Sequence, residues 1–255
     1  MQNTDKISAV ILVKNGEKTI AECLDSLCAF NEVVLLDNGS TDRTVEIASG
    51  FPNVKVFCEP NFYGFGKMKN IAVNHASNDW ILSIDSDEML MPEIVGKINA
   101  LPLNDNTVVA LSRLNYYGDR CMKCCGWYPD YVWRIFNRKY TRFNENMVHE
   151  GVDIKQDTEK VYFKDAIKHY AADNMDSIIQ KMNRYTSLSA HEKHAKGKKA
   201  SVIGAIFRFI HTFNMNYFFR KGIFYGYKGL VVSLLNASGS FYRHIKLYEL
   251  NKKSK

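Results

Sequence analysis

Trp80-Ile-Leu-Ser-Ile84 runs directly into Asp85-Ser-Asp87-Glu88. An apolar run closed by carboxylates reads as a strand buried on both faces whose carboxyl end reaches a polar edge. Upstream of it a helical pattern covers about 67–75, and Val54 to Phe57 forms a short strand before that. Glu32-Val-Val-Leu-Leu36 is a second buried strand, stopped by Asp37-Asn-Gly-Ser40, where Ser40 or Thr41 can cap a helix carrying Val45, Ile47 and Ala48. Ile7 to Val13 is a further unbroken apolar run, after which Ile20, Cys23, Leu24, Leu27 and Cys28 recur at helical spacing. Strand and helix therefore alternate four times in the first ninety residues, which predicts an α/β fold with a mostly parallel, Rossmann-like sheet. Downstream, Thr107 to Tyr117 and Tyr131 to Asn137 read as additional strands, separated by a loop rich in glycine and aromatics.

Charge divides the chain. Residues 1–180 hold 19 Lys and Arg against 25 Asp and Glu, whereas residues 181–255 hold 15 against 2, so a net −6 is followed by a net +13. The two parts meet different partners. From Asp176 onward the pattern is helical, with apolar Val202, Ile206, Phe209 and Phe213 on one face and Ser201, Gly204, Arg208 and His211 in a narrow polar stripe. No run reaches the ~20 apolar residues of a spanning helix. A basic, aromatic-rich helical tail suits an anionic membrane surface, and it equally suits packing on the catalytic domain or on a second subunit, as in a homo-oligomer. The expected organisation is a catalytic domain over 1–170 and a helical, basic, amphipathic extension over 171–255.

The N-terminal stretch lacks a secretory pattern, so a cytoplasmic location is expected, peripheral at the inner face of the cytoplasmic membrane. In that compartment Cys23, Cys28, Cys58, Cys121, Cys124 and Cys125 are expected as reduced thiols. Cys121-Met-Lys-Cys124 has a CxxC spacing, but no second pair follows to complete a zinc site, and packing is the simpler role.

Ligands of open parallel sheets bind at the carboxyl ends of strands, where Asp37 and Asp85 fall. Two carboxylates in Asp85-x-Asp87 suit a hard divalent cation, Mg2+ or Mn2+, shared with substrate phosphates. An isolated Asp-x-Asp could also be a solvated turn, and Asp37 could cap its own turn.

Taken in order, Val13-Lys-Asn15-Gly-Glu17, Asp37-Asn-Gly-Ser-Thr-Asp42, Lys67-Met-Lys69-Asn70 and Asp85-Ser-Asp87-Glu88 resemble the family 2 glycosyltransferases of the GT-A fold. Cys125-Gly-Trp-Tyr-Pro-Asp130, Arg134-Ile-Phe136 and Val148-His149-Glu150 resemble segments of lipopolysaccharide-core glucosyltransferases. The resemblance implies that Asp37 and the first loop, with Val13, Asn15 and Glu17, hold the nucleotide base and ribose, and that Asp85 and Asp87 hold ribose and metal. Asn38 stands where many relatives carry a second acid. A late His can complete the metal shell, which makes His149 a candidate ligand alongside a purely local role. Lys67 or Lys69 could neutralise the departing diphosphate. The resemblance also implies inversion by single displacement, with a base from a Glu-Asp motif before a strand. Pro129-Asp130 stands at that place, so Asp130 is the candidate base and Glu150 the reserve.

The expected activity is therefore metal-dependent transfer of a hexose from a nucleotide sugar, a UDP-sugar, to a glycan or glycolipid such as a lipooligosaccharide core. A sugar-1-phosphate nucleotidyltransferase would need a glycine-rich basic loop, and Val13-Lys-Asn-Gly16 is too poor in both. A nucleic-acid-binding role for the basic tail fits badly with the acidic sheet edge, so no nucleic-acid partner is expected.

Overall fold

The computed structural model describes residues 2–144, 151–172 and 174–253. Strands β1 (Ile7–Val13), β2 (Val33–Asp37), β3 (Val54–Cys58) and β4 (Trp80–Asp85) pair in parallel in the order β3-β2-β1-β4. Helices α1 (Ile20–Asp25), α2 (Thr44–Ser49) and α3 (Phe65–Asn74) connect them. Then come β5 (Glu88–Leu90), α4 (Pro92–Asn99), β6 (Thr107–Tyr117), β7 (Arg120–Cys121), β8 (Tyr131–Asn137) and β9 (Glu159–Ala172). These complete the order as β3-β2-β1-β4-β8-β6-β9-β5, with β7 on β6. β8 pairs antiparallel with β4 and β6, and β5 pairs antiparallel with β9. The fold is thus an α/β sheet with a parallel core, extended by antiparallel strands.

Alternation along the strands explains the layering. Ile7, Ala9, Ile11 and Val13 of β1, with Val33 and Leu35 of β2, share a core with Ile20, Cys23 and Leu24 of α1 and Ile94 and Ile98 of α4. Val10, Val34, Leu36 and Ile81 point the other way, onto Met68, Ala72 and Val73 of α3. Two-sided burial is what makes these strands continuous apolar runs rather than alternating ones.

Glu32 enters β2 6% exposed. Its Oε2 accepts from Ser8 Oγ at 2.5 Å and Ser77 N at 2.8 Å, and its Oε1 from Lys55 Nζ at 2.7 Å and Ser77 Oγ at 2.6 Å. Burial alone would raise its pKa, but Lys55, Ser77 and Ser8 outweigh it and bring the carboxyl to about 2. A depressed carboxyl contributes stability that is present above its unfolded pKa and lost as pH falls through the folded one. Glu32 is therefore expected to contribute about 3 kcal/mol near neutrality, lost between roughly pH 4.5 and 2. Urea unfolding of wild type and Glu32→Gln should differ at pH 7 and converge across that window. A difference independent of pH would refute this reading.

The chain divides into two compact units, one of residues 1–114 and 130–169, the other of 115–129 and 170–255. In the second, α7 (Gly226–Lys253) packs against α5 (Met175–Ala195) and α6 (Val202–Asn214). Lys246 Nζ reaches Asn183 O at 3.0 Å and Ser187 Oγ at 2.8 Å, His194 Nδ1 lies 2.9 Å from Asn251 Oδ1, and Phe209 meets Phe241 edge-on. The 115–129 segment packs into the same unit. Met122, Cys124 and Cys125 are buried with Val232, and the Cys125 Sγ lies 3.3 Å from Ser233 Oγ. Gly229 permits a close approach of α7 to the turn at Gly222, since a Cβ there would fall 1.9 Å from the Gly222 carbonyl oxygen. Among the described residues no helix is long and apolar enough to cross a membrane.

Candidate active site

The loops after β1 and β2 are laced together at the carboxyl edge of the sheet. Val13 pairs with Asp37 in register. Asp37 is buried and its carboxylate accepts from the backbone N–H of Gly39 (3.1 Å) and Ser40 (3.0 Å). Asn15 sits in the left-handed region at φ 55°, where Asn is tolerated better than most residues. Its N–H donates to Ser40 Oγ at 2.8 Å, and its Oδ1 accepts from Thr41 N at 2.8 Å. Glu17 N–H donates to Asp42 Oδ2, while Glu17 Oε2 accepts from Arg43 N, both at 3.1 Å. Ser40 and Thr41 thus bond the Asn15 loop instead of capping a helix. α2 begins only at Thr44, whose N–H is taken by Asp42 Oδ1 at 3.1 Å. Asn38 Nδ2 donates to Glu59 O at 2.6 Å. Val13, Asn15, Glu17 and Asp37 therefore share one edge.

Next to them runs a chain of ion pairs. Asp85 Oδ1 receives Lys69 Nζ at 2.9 Å, and Oδ2 receives Arg134 NH2 at 2.5 Å. The same guanidinium nitrogen reaches Glu88 at 2.5 and 2.6 Å. Arg113 continues the chain, 3.3 Å from Glu88 and 2.8 Å from Asp130. Burial would raise the Asp85 pKa, but Arg134 and then Lys69 hold its carboxyl well below the usual carboxylate range. Reciprocally, burial works against the Arg134 charge, and Asp85 and Glu88 outweigh it and raise its pKa. Both groups are fixed in their charged forms.

Asp87 faces elsewhere. Its Oδ2 lies 3.6 Å from Nε2 of His169, a residue that β9 places opposite Glu88. Among the described residues no group of three His, Cys, Asp or Glu could hold a metal by itself. A carboxylate and an imidazole nevertheless suit Mg2+ or Mn2+ when diphosphate oxygens complete the shell. Asp87 and His169 are neighbouring donors of that kind, and both Asp85 oxygens are bonded to cations.

The two lysines separate. α3 buries Lys69 together with Met68, Ala72 and Val73, whereas Lys67 is exposed, its Nζ 5.2 Å from the Tyr63 ring. His149 and Glu150 lie outside the described residues. The sequence reading missed any site role for Glu88, Arg113, Arg134 and His169. One signal was available: Arg134 stands inside the apolar run Tyr131 to Phe136, where an unpaired charge is rarely tolerated once buried.

A model of the family described as glycosyl transferase family 2 matches residues 8–171. The chain belongs to glycosyltransferase family 2. A Rickettsia typhi protein named as an uncharacterized glycosyltransferase is 31% identical to this family 2 glycosyltransferase, covering 98% of this chain and 89% of the relative. The lipopolysaccharide core biosynthesis glycosyltransferase LpsC of Rhizobium meliloti is 26% identical, over 95% and 92%. Among solved structures, S. aureus TarS 1-349 in complex with UDP-GlcNAc is similar with a TM-score of 0.52 and 16% identity, over 98% of this chain and 92% of that one. At that identity the likeness is one of fold. The transferase is an enzyme that takes a nucleotide-sugar donor and a glycan acceptor.

Proposed function

We propose that this family 2 glycosyltransferase moves a hexose from a UDP-sugar, with inversion, to a hydroxyl of a lipid-linked glycan such as a lipopolysaccharide or lipooligosaccharide core. The observation that carries this reading is the continuous ionic chain from Lys69 through Asp85, Arg134, Glu88 and Arg113 to Asp130. It joins a cationic end at the nucleotide loops to a carboxylate end suited to an acceptor. The core-glycan acceptor leans on the printed name of LpsC, and the UDP-sugar on the TarS complex whose fold the chain shares.

In this scheme Asp37, Asn15 and Glu17 hold the base and ribose. Asp130 takes the proton of the acceptor hydroxyl as its oxygen bonds to the anomeric carbon, and the bond from that carbon to the diphosphate oxygen breaks. Arg113 orients Asp130. Asp87 and His169 are the residues that would hold Mg2+ or Mn2+, which supplies positive charge for the departing diphosphate. Placement at the inner face of the cytoplasmic membrane follows from the basic tail and from an acceptor confined to a bilayer, where docking raises the effective concentration of the two partners.

A panel of nucleotide sugars, scored for nucleotide release with Mg2+, Mn2+ or EDTA, tests the reading. A UDP-hexose should be preferred, and both EDTA and Asp87→Asn should abolish transfer while circular dichroism and unfolding stay near wild type. Retained activity in EDTA or in Asp87→Asn would rule out the metal. Preference for another nucleotide would rule out the donor.

A further inference from the structure

Asn38 ties together the loops that follow β1, β2 and β3. Its N–H donates to Val13 O at 2.8 Å, and its side-chain Nδ2 donates to Glu59 O at 2.6 Å and to Asn61 O at 3.3 Å. Both side-chain partners are backbone carbonyls, which only accept, so the atom between them has to be the amide nitrogen. Asn38 is 6% exposed, which makes the loss of that donor costly to the carbonyls it serves. Glu59 N–H adds a bond to Asp37 O at 2.9 Å, one residue beyond the β2–β3 pairing, and a Cβ on Gly39 would lie 3.9 Å from Pro60 Cα. Residues 59–61 therefore run against the turn at 37–40.

From this anchor the chain presents two aromatic rings. Phe62 and Tyr63 are 43% and 44% exposed, and α3 braces each of them. The Phe62 ring meets Phe65 edge-on with centroids 5.0 Å apart, and Lys67 Nζ lies 5.2 Å from the centroid of Tyr63. Gly64, at φ 101°, turns the chain into the helix in a conformation that other residues rarely adopt. The segment is thus fixed by Asn38 at one end and by α3 at the other, with its apolar side chains outward.

The place of these rings on the sheet indicates what they meet. The order β3-β2-β1 sets the segment directly beside the turn that carries Asp37, the residue whose carboxylate accepts from Gly39 and Ser40 N–H at the edge shared with Asn15 and Glu17. A nucleoside diphosphate offers both chemistries that such a flank suits. Its base is a flat π-surface on which an aromatic ring stacks whatever the base, and its phosphates are anions for the exposed ammonium of Lys67.

We infer that residues 59–63 form the outer wall of the nucleotide site, with Phe62 and Tyr63 against the base, and that Asn38 is the positioning residue that holds this wall in place. The inference rests on the donor reading above. It also gives a physical cause for the residue that stands where many relatives carry a second acid. In this chain the position donates to two carbonyls, and an ionised carboxylate has no proton to donate.

The test uses the full chain with UDP, ADP, GDP and CDP, measuring affinity by calorimetry and the fold by circular dichroism and thermal unfolding. Phe62→Ala/Tyr63→Ala should weaken UDP binding about tenfold or more, while unfolding stays near wild type because both rings are half-exposed. Asn38→Asp and Asn38→Ser separate three roles by their order. Asp nearly matches Asn in shape, so a space-filling role would put it above Ser, and a direct acidic contact with the base would put it at or above wild type. A donor role reverses that order, because Ser keeps one O–H for a carbonyl and ionised Asp keeps none. The expected ranking is wild type, then Asn38→Ser, then Asn38→Asp about tenfold or more below wild type. In both variants KM for the preferred nucleotide sugar should rise with kcat near wild type, as for binding common to the ground and transition states. Equal UDP affinity in wild type and Phe62→Ala/Tyr63→Ala would overturn the wall and leave the donor reading in place. Asn38→Asp binding as tightly as Asn38→Ser, or more tightly, would overturn the positioning role. Preference for another of the four nucleotides would overturn the UDP donor alone, and that nucleotide would then report on the wall in the same variants. Binding of none of the four by wild type would overturn both.

Discussion

Asp130→Asn is expected to lower turnover by ~10²–10⁴, the usual contribution of a general base, while donor affinity stays near wild type. The asparagine keeps the shape and can still meet Arg113, which lies 2.8 Å from Asp130 and is partly exposed, so the loss of charge there is tolerable for the fold. What disappears is the ability to accept a proton from the acceptor hydroxyl. Because the interaction belongs to the transition state, kcat and kcat/KM should fall together, with KM for the nucleotide sugar little changed. Stopped-assay kinetics on the preferred donor, with nucleotide affinity measured by calorimetry, separate these quantities. Normal turnover in Asp130→Asn with a collapse in Glu150→Gln would move the proton to Glu150.

Arg134→Met should destabilise the protein by about 3–5 kcal/mol, the cost of removing one partner from a buried ion pair. Glu88 is fully buried and would keep only Arg113 at 3.3 Å and the Asp85 N–H at 3.1 Å, and Asp85 would keep only Lys69 of its two cations. The deficit should shrink as pH falls, because the Asp85 carboxyl, which Arg134 holds well below the usual range, takes up a proton at higher pH once Arg134 is gone. Arg134→Met/Glu88→Gln should recover part of the loss, and the coupling in that double-mutant cycle measures the pair. Denaturant unfolding at neutral and mildly acidic pH gives all four corners. A deficit under 1 kcal/mol at neutral pH would mean that water replaces Arg134 at little cost.

The strands that carry Asp37 and Asp85 were legible in the sequence because each is a run buried on both faces that ends abruptly in a carboxylate. The loops are local as well, with Asn15 and Ser40 only 25 residues apart. The rest of the site depends on pairing at long range. His169 reaches Asp87 only because β9 runs antiparallel to β5 in the register that sets it opposite Glu88, and no local spacing encodes that register. Val161, Phe163 and Ile167 show the period of a strand, but the intervening Lys164, Asp165 and Ala166 break the alternation. Asp85 shows the limit from the other side. Its type and position suggested a place in the site, but its bonds to Lys69 and to Arg134, which lies 49 residues further on, are not encoded in any local spacing.

The 115–129 segment has a consequence for synthesis on the ribosome. Cys125 is covered by Val232 and its neighbours, and 108 residues separate it from Ser233. At ~5–20 residues per second, Met122, Cys124 and Cys125 wait roughly 5–20 s after they are made before their partners exist. Through that interval two adjacent thiols and an apolar loop are exposed in a nascent chain. Early release, or any truncation that removes α7, leaves them permanently uncovered.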